Sequence, residues 1–344
     1  MPNSNSTNWK RLALAGLIVL SGCATQPPPK VVPTAGTQET QPILATAKPI
    51  QPLPTLDELV DRELADGDEL LIGAGDIAEC GAQLSHAQDT AKIIDRFSNA
   101  KVFTMGDNAY LNGTKAQFEQ CYGESWGRFK EHTRPSPGNH DYGIYPPEFR
   151  DNADPYFNYF GTNAGTKGLG YYSFPLGSWH IVSLNSMADQ TGAPPMGQQL
   201  EWLRNDLNLN QQRCVLAYWH HPLFSSGTEH GDKPGDPGRS MWRLWEPLLD
   251  HHATVIVNGH DHHYERFKQQ DTHQKLTASG IRQFIVGTGG GDKRGLLPLL
   301  EDNSEYQIGN VYGVLLLTLH KAGYEWHFID TDGKVRDAGS GECN

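Results

Sequence analysis

Seven side chains able to hold a metal ion fall in five short blocks. These are Gly75-Asp76, Gly106-Asp107-Asn108-Ala109-Tyr110, Gly138-Asn139-His140-Asp141, Trp219-His220-His221-Pro222 and Gly259-His260-Asp261-His262. Asp76, Asp107, Tyr110, Asn139, His220, His260 and His262 together offer carboxylate, phenol, amide and imidazole donors. That is enough for two ions sharing a bridging carboxylate. Two ions about 3.5–4 Å apart can clamp the attacking and leaving oxygens of a phosphoryl displacement, so the donor set points to hydrolysis of phosphate esters. Uncatalysed monoester hydrolysis is slow enough that enzymes accelerate it by up to ~10²¹, more than one general base can supply.

The donors need elements to bring them together. Four of the blocks follow apolar, often β-branched runs at 70–75, 102–106, 215–219 and 254–259, which read as buried strands. The polar residues begin where each run stops, in the loops where α/β proteins place their sites. Glycine before Asp76, Asp107, Asn139 and His260 is expected to let the backbone turn sharply beside an ion. Taken singly, each block reads as an ordinary turn or strand end; their occurrence together, in order, carries the inference. Helices are predicted over 84–97, 196–207 and 240–251, and further strands over 168–185, 281–287, 309–319 and 324–330. This order suits an α/β protein with two sheets packed face to face. The run Gly287-Thr288-Gly289-Gly290-Gly291-Asp292 has the composition of a phosphate cradle, although a lone glycine run is more often a loop.

The ordered blocks resemble the calcineurin-like metallophosphoesterase superfamily, and within it the purple acid phosphatase branch. The superfamily pattern runs Asp, Gly-Asp, Gly-Asn-His-Asp/Glu, His and Gly-His-x-His, and the resemblance covers residues 68–340. Residues 259–266, Gly-His-Asp-His-His-Tyr-Glu-Arg, look like the purple-branch signature. Most of the superfamily opens with Asp-x-His. Here the third residue is Ala78, and Tyr110, three residues after Asp107, stands where the purple branch places its tyrosine. The branch usually has glycine where this chain has Ala78.

The resemblance implies a four-layer αββα sandwich, with two central mixed sheets flanked by helices. It implies two metal ions: Fe(III), suited to a phenolate, beside divalent Fe, Zn or Mn. Metal one would take Asp76, Asp107, Tyr110 and His262; metal two would take Asp107, Asn139, His220 and His260. His140 resembles the family's phosphate-contacting histidine. His221 and His230 are weaker candidates for catalytic contacts, the family often having another residue at the position of His221. The implied reaction is acid-phosphatase-like hydrolysis of phosphate monoesters. Phosphodiester or nucleotide hydrolysis on the same metals is the alternative, and a binding module that kept the fold is a further one. The His-x-His-x-Asp-His motif of metallo-β-lactamase-type hydrolases is absent.

At 344 residues the chain has room for one large domain or two. Lys10-Arg11, an apolar stretch over 12–20 and Ser21-Gly22-Cys23 read as a signal peptide. Leu20-Ser21-Gly22-Cys23 resembles a bacterial lipobox, which would make residues 1–22 the signal and Cys23 the lipidated N-terminus. Ala24 after Cys23 resembles an outer-membrane sorting signal in a Gram-negative cell, facing the periplasm. The expected partners are therefore a small phosphorylated substrate and a membrane reached through the Cys23 lipid. Residues 23–54, rich in Pro, Thr, Gln and Ala, read as a tether, leaving 55–344 as the catalytic domain. The net charge of −12 argues against nucleic acid as a partner. Cys80, Cys121, Cys214 and Cys343 form an even set, which in an exported protein suggests two disulfides. Cys80 and Cys121 each follow a ligand loop, so Cys80–Cys121 is the first choice, leaving Cys214–Cys343.

Overall fold

The structure is a computed structural model and describes residues 52–143, 152–190, 192–228, 237–298 and 300–344. Among them the strands are β1 Glu69–Ala74, β2 Lys101–Met105, β3 Thr133–Ser136, β4 Tyr172–Leu176, β5 Trp179–Ser183, β6 Cys214–Trp219, β7 Val255–Asn258, β8 Tyr264–Phe267, β9 Arg282–Val286, β10 Ser304–Ile308, β11 Gly313–Leu319, β12 Gly323–Asp330 and β13 Val335–Glu342. The helices are α1 Leu56–Val60, α2 Leu84–Ile94, α3 Lys115–Gln117, α4 Asp154–Phe160, α5 Met196–Leu209 and α6 Trp242–Asp250. One sheet runs β13-β12-β11-β1-β2-β3 and the other β10-β8-β9-β7-β6-β5-β4.

Both sheets are mixed. β1, β2 and β3 are mutually parallel, as are β5, β6, β7 and β9, and antiparallel strands complete each sheet. The central strands are buried on both faces, which is why their sequences are apolar throughout rather than alternating. Along β6, Leu216 and Tyr218 point into the core shared with the first sheet, while Val215, Ala217 and Trp219 pack with α5 and α6. Along β9, Phe284 and Val286 face the first core and Ile285 the second. Aromatic pairs join the sheets: Trp179 lies edge-on to Tyr324 at 5.9 Å and Tyr264 stacks on Phe328 at 4.0 Å. This is the four-layer sandwich that the family resemblance implies.

The three predicted helices are present, α2 stopping at Ile94 and α6 starting at Trp242. The expected strand region 168–185 is the β4–β5 hairpin. Both predicted disulfides form, Cys80–Cys121 and Cys214–Cys343. The second ties β6 to the residue after β13. Cys23 and His230 lie outside the described residues.

Candidate metal centre

The parallel strands of both sheets end at one seam. β1 runs into Asp76, β2 into Asp107, β3 into Asn139, β6 into His220 and β7 into His260. The seam is stitched by backbone bonds: Gly75 N–H donates to Val286 O at 2.8 Å and Gly259 N–H to His220 O at 3.0 Å. Ligands in open α/β sheets bind at such carboxyl-end junctions.

The glycines act differently from the expectation. The left-handed turns fall on Asp76, Asp107 and His260, with φ of 60°, 48° and 71°. Of the four glycines, Gly106 alone has positive φ, 80°. Gly75, Gly138 and Gly259 are glycine because there is no room for a side chain. A Cβ on Gly138 would lie 2.2 Å from Asp107 Oδ1, and one on Gly259 2.6 Å from Asp76 Oδ2.

The donors form two groups that share one oxygen. Tyr110 Oη lies 2.9 Å from Asp76 Oδ1, 3.2 Å from Asp107 Oδ2 and 3.1 Å from His262 Nε2. His220 Nε2 lies 3.2 Å from Asp107 Oδ2, 3.0 Å from Asn139 Oδ1 and 3.1 Å from His260 Nδ1. Asp107 Oδ2 thus belongs to both groups, as a bridging carboxylate must. Its other oxygen accepts from His140 N–H at 2.8 Å. The seven residues named from sequence as ligands come together.

Ring orientation is set by carbonyls, which only accept. His220 Nδ1 donates to Met105 O at 2.7 Å and His262 Nδ1 donates to Asp292 O. In their neutral form both rings therefore hold their lone pair on Nε2, toward the cluster, the arrangement metal-ligating histidines adopt. The glycine run before Asp292 serves this wall: Gly289 and Gly291 donate to Gly75 O and Asp76 O. Those donors are spent on the ligand loop, so the structure gives no support to a phosphate cradle there. His140 Nδ1 donates to Leu111 O at 2.6 Å, placing Nε2 3.8 Å from Asp107 Oδ2. Its side chain keeps 16% exposure, against 2% for Asp107, so His140 stands at the open side of the cluster. His221 is buried, with Nδ1 2.8 Å from Ser186 Oγ.

The electrostatics suit cations. Burial opposes charge on Asp107, but His220 and His140 outweigh it and hold its carboxyl well below the usual range. Burial likewise opposes charge on His220, yet Asp107 pushes its pKa up to about 9. Burial, then the charges of Asp76 and Asp107, push the Tyr110 phenol far up. Among the described residues Asp76 and Asp107 have histidine and no Lys or Arg ion-pair partners. Buried charges are normally paired or bind metals; here two carboxylates, a phenol and three imidazoles converge, and the donor set fits two metal ions. Asp76, Asp107 and His220 alone form one group with donor atoms within 4.8 Å of one another.

Sequence reading missed the supports. Asp141 accepts from Gly138 N–H at 2.8 Å and from Asn108 Nδ2 at 2.9 Å, with its pKa raised to about 7 by burial and by Asp107. Asp261 accepts from Ser225 Oγ, and Glu265 accepts from Ser226 N–H and Oγ at 2.9 and 2.6 Å. These carboxylates bind the ligand loops to their neighbours. Asp141, Asp261 and Glu265 sit inside the motifs themselves, so their positions were visible and only their partners were not.

Comparison with known proteins agrees with this geometry. The calcineurin-like phosphoesterase family profile matches residues 51–264. Purple acid phosphatase 15 of Arabidopsis thaliana is 29% identical over 231 residues, 59% of this chain and 42% of that protein. Purple acid phosphatase 13 of the same plant is 27% identical over 62% of this chain and 43% of its own. The chain therefore spans less than half the length of these relatives. Among solved structures, purple acid phosphatase PPD1 from yellow lupin shares the fold at TM-score 0.64 and 18% identity, over 79% of this chain and 53% of that one. GAP50, described as the anchor in the inner membrane complex of Plasmodium, does so at 0.60 and 12%, over 80% and 89%. With the profile spanning every ligand block, the chain belongs to the calcineurin-like phosphoesterases, in the branch of the purple acid phosphatases.

Proposed function

We propose that this protein hydrolyses phosphate monoesters at a two-metal centre, with Fe(III) at the Tyr110 position and divalent Fe, Zn or Mn at the other. The observation that carries the reading is the pair of donor groups sharing Asp107 Oδ2. A bound pair would supply an activated water and neutralise charge on an in-line phosphoryl displacement. The chain's own residues do the rest. Asp107 joins the two positions, Asp76, Tyr110 and His262 complete the first, and Asn139, His220 and His260 the second. His140, anchored through Leu111 O, presents Nε2 at the open side; in its protonated form it can hydrogen-bond a phosphate oxygen or hand a proton to the leaving alkoxide. His230 is a weaker candidate for a further phosphate contact and lies outside the described residues.

The test compares p-nitrophenyl phosphate with bis(p-nitrophenyl) phosphate on protein of verified metal content. Higher kcat/KM on the monoester, abolished by chelation, is the expected result. Preference for the diester would replace the substrate class. No turnover of either ester with both metals bound would make the protein a binding module, a role open to this fold.

The proposal includes export, with residues 1–22 as signal and Cys23 as the lipid anchor. Among the described residues no helix is long and apolar enough to cross a membrane. Labelled fatty acid should enter the wild-type chain and not Cys23→Ala; equal labelling of both refutes the anchor.

A further inference from the structure

The second metal position has one more imidazole beside it than the family pattern requires. His220, His221 and His260 each offer a ring nitrogen within 4.8 Å of the other two, and all three are buried. The His221 ring centroid lies 4.1 Å from that of His260 and 4.9 Å from that of His220. A residue that touches substrate must be reachable, and His221 is 1% exposed. It faces its neighbouring imidazoles instead.

Ser186, itself fully buried three residues beyond β5, fixes the ring. Ser186 Oγ accepts from His221 N–H at 3.2 Å and lies 2.8 Å from His221 Nδ1. When Nδ1–H donates to that oxygen, the neutral imidazole holds its lone pair on Nε2, the form a metal takes. Carbonyls do the same for His220 and His262.

We propose that His221 is a third imidazole donor to the second metal, oriented by Ser186, and that it biases that position toward zinc over manganese or magnesium. The inference rests on the two-metal reading. Its chemical basis is donor softness. Imidazole suits zinc, whereas carboxylate and carbonyl oxygens suit magnesium and manganese. With two imidazoles against Asp107 and Asn139 the position is balanced; a third tips it.

The test uses the full chain with iron in the first position and zinc in the second, read by zinc-edge X-ray absorption and by equilibrium competition of zinc against manganese. Wild type should show three imidazoles on zinc and His221→Ala two. Zinc affinity should fall by about a hundredfold in His221→Ala and about tenfold in Ser186→Ala, the range that ligand-orienting groups command, with manganese affinity little changed. His221→Gln keeps the side-chain volume and answers the same question if the alanine variant does not fold. Two imidazoles on zinc in wild type, or an unchanged zinc-to-manganese ratio in the folded variants, overturns the inference and leaves the two-metal reading standing. Wild type unable to hold two metals overturns both.

Discussion

Tyr110→Phe removes one oxygen and nothing else, so it separates a metal-binding tyrosine from a packing one. The hydroxyl has three polar neighbours within 3.2 Å: Asp76 Oδ1, Asp107 Oδ2 and His262 Nε2. Hydrogen bonds to charged partners contribute about 1.5–3 kcal/mol each, and the metal-free protein should lose about that much stability in Tyr110→Phe. In iron-loaded protein the effect is larger and of another kind. Burial and the two carboxylates keep the phenol neutral without metal, so its proton must leave when a cation arrives. Iron loading of wild type should give a visible charge-transfer band and release one more proton than loading of Tyr110→Phe. The variant should lack the band and bind the first ion more weakly, by about tenfold or more. Visible absorbance during iron titration, with proton release followed by calorimetry in two buffers, reads both quantities. A band that survives in Tyr110→Phe refutes the assignment. Reduced stability with unchanged iron content would make Tyr110 a packing residue.

Asp107→Ala should lose both metals and more than about a thousandfold in turnover, since a single lost electrostatic contact already costs about 10²–10³; Asp271→Ala, in an exposed turn, should lose neither. His140→Ala should retain both ions by elemental analysis while kcat falls about a hundredfold or more, and loss of an ion there would make His140 a ligand. Removing the Cys214–Cys343 bridge opens a loop with a sequence separation of 129 residues, worth up to about 5 kcal/mol in chain entropy by denaturant unfolding. In metal-free protein His220 has a folded pKa of about 9 against 6.5 unfolded. Its contribution to stability is full below pH 6.5 and is lost as pH rises through 9. Chelated protein should therefore melt lower at pH 9 than at pH 6.5, and an unchanged melting temperature would remove the Asp107–His220 ion pair from the account.

What the sequence made legible was local. In four of the five blocks the ligands follow an apolar run, so block and strand could be read together, and the missing histidine at Ala78 pointed to Tyr110. What it hid depends on distant pairing. Ser186 meets His221 across 35 residues and Glu265 meets Ser226 across 39, and nothing near any of these four residues announces its partner. Four strands were also hidden: β3 and β13, the two edges of the first sheet, and β10 and β8, the edge of the second sheet and the strand beside it. β3 reads Thr-Arg-Pro-Ser and β13 reads Val-Arg-Asp-Ala-Gly-Ser-Gly-Glu. An edge strand pairs on one side only and tolerates proline, glycine and charge, so no apolar run marks it. The glycines of β13 make room for aromatic rings: a Cβ on Gly339 would lie 2.3 Å from Trp326 and one on Gly341 2.7 Å from Tyr324.

The glycine beside a ligand is a matter of space, and that distinction is testable. Positive φ on a non-glycine residue costs roughly 1–2 kcal/mol, and Asp76, Asp107 and His260 all carry it. Such strain persists where the surroundings over-determine the backbone. The surroundings here are the close approaches at Gly75, Gly138 and Gly259, each of which brings backbone against the neighbouring ligand loop. Gly138→Ala tests this most directly. Its Cβ would lie 2.2 Å from Asp107 Oδ1 and 2.3 Å from Asp107 N, and the backbone atom has no rotamer by which to yield. Overpacking of this kind costs about 1–3 kcal/mol, and it falls on the bridging carboxylate. The variant should fold, lose stability by that amount, and bind both metals poorly. Gly197→Ala is the control: in α5, with nothing within 4 Å of its Cβ, it should gain up to about 1 kcal/mol from helix propensity and keep its metals. Metal affinity in Gly138→Ala equal to that of Gly197→Ala would show that the ligand loops hold Asp107 without the close approach.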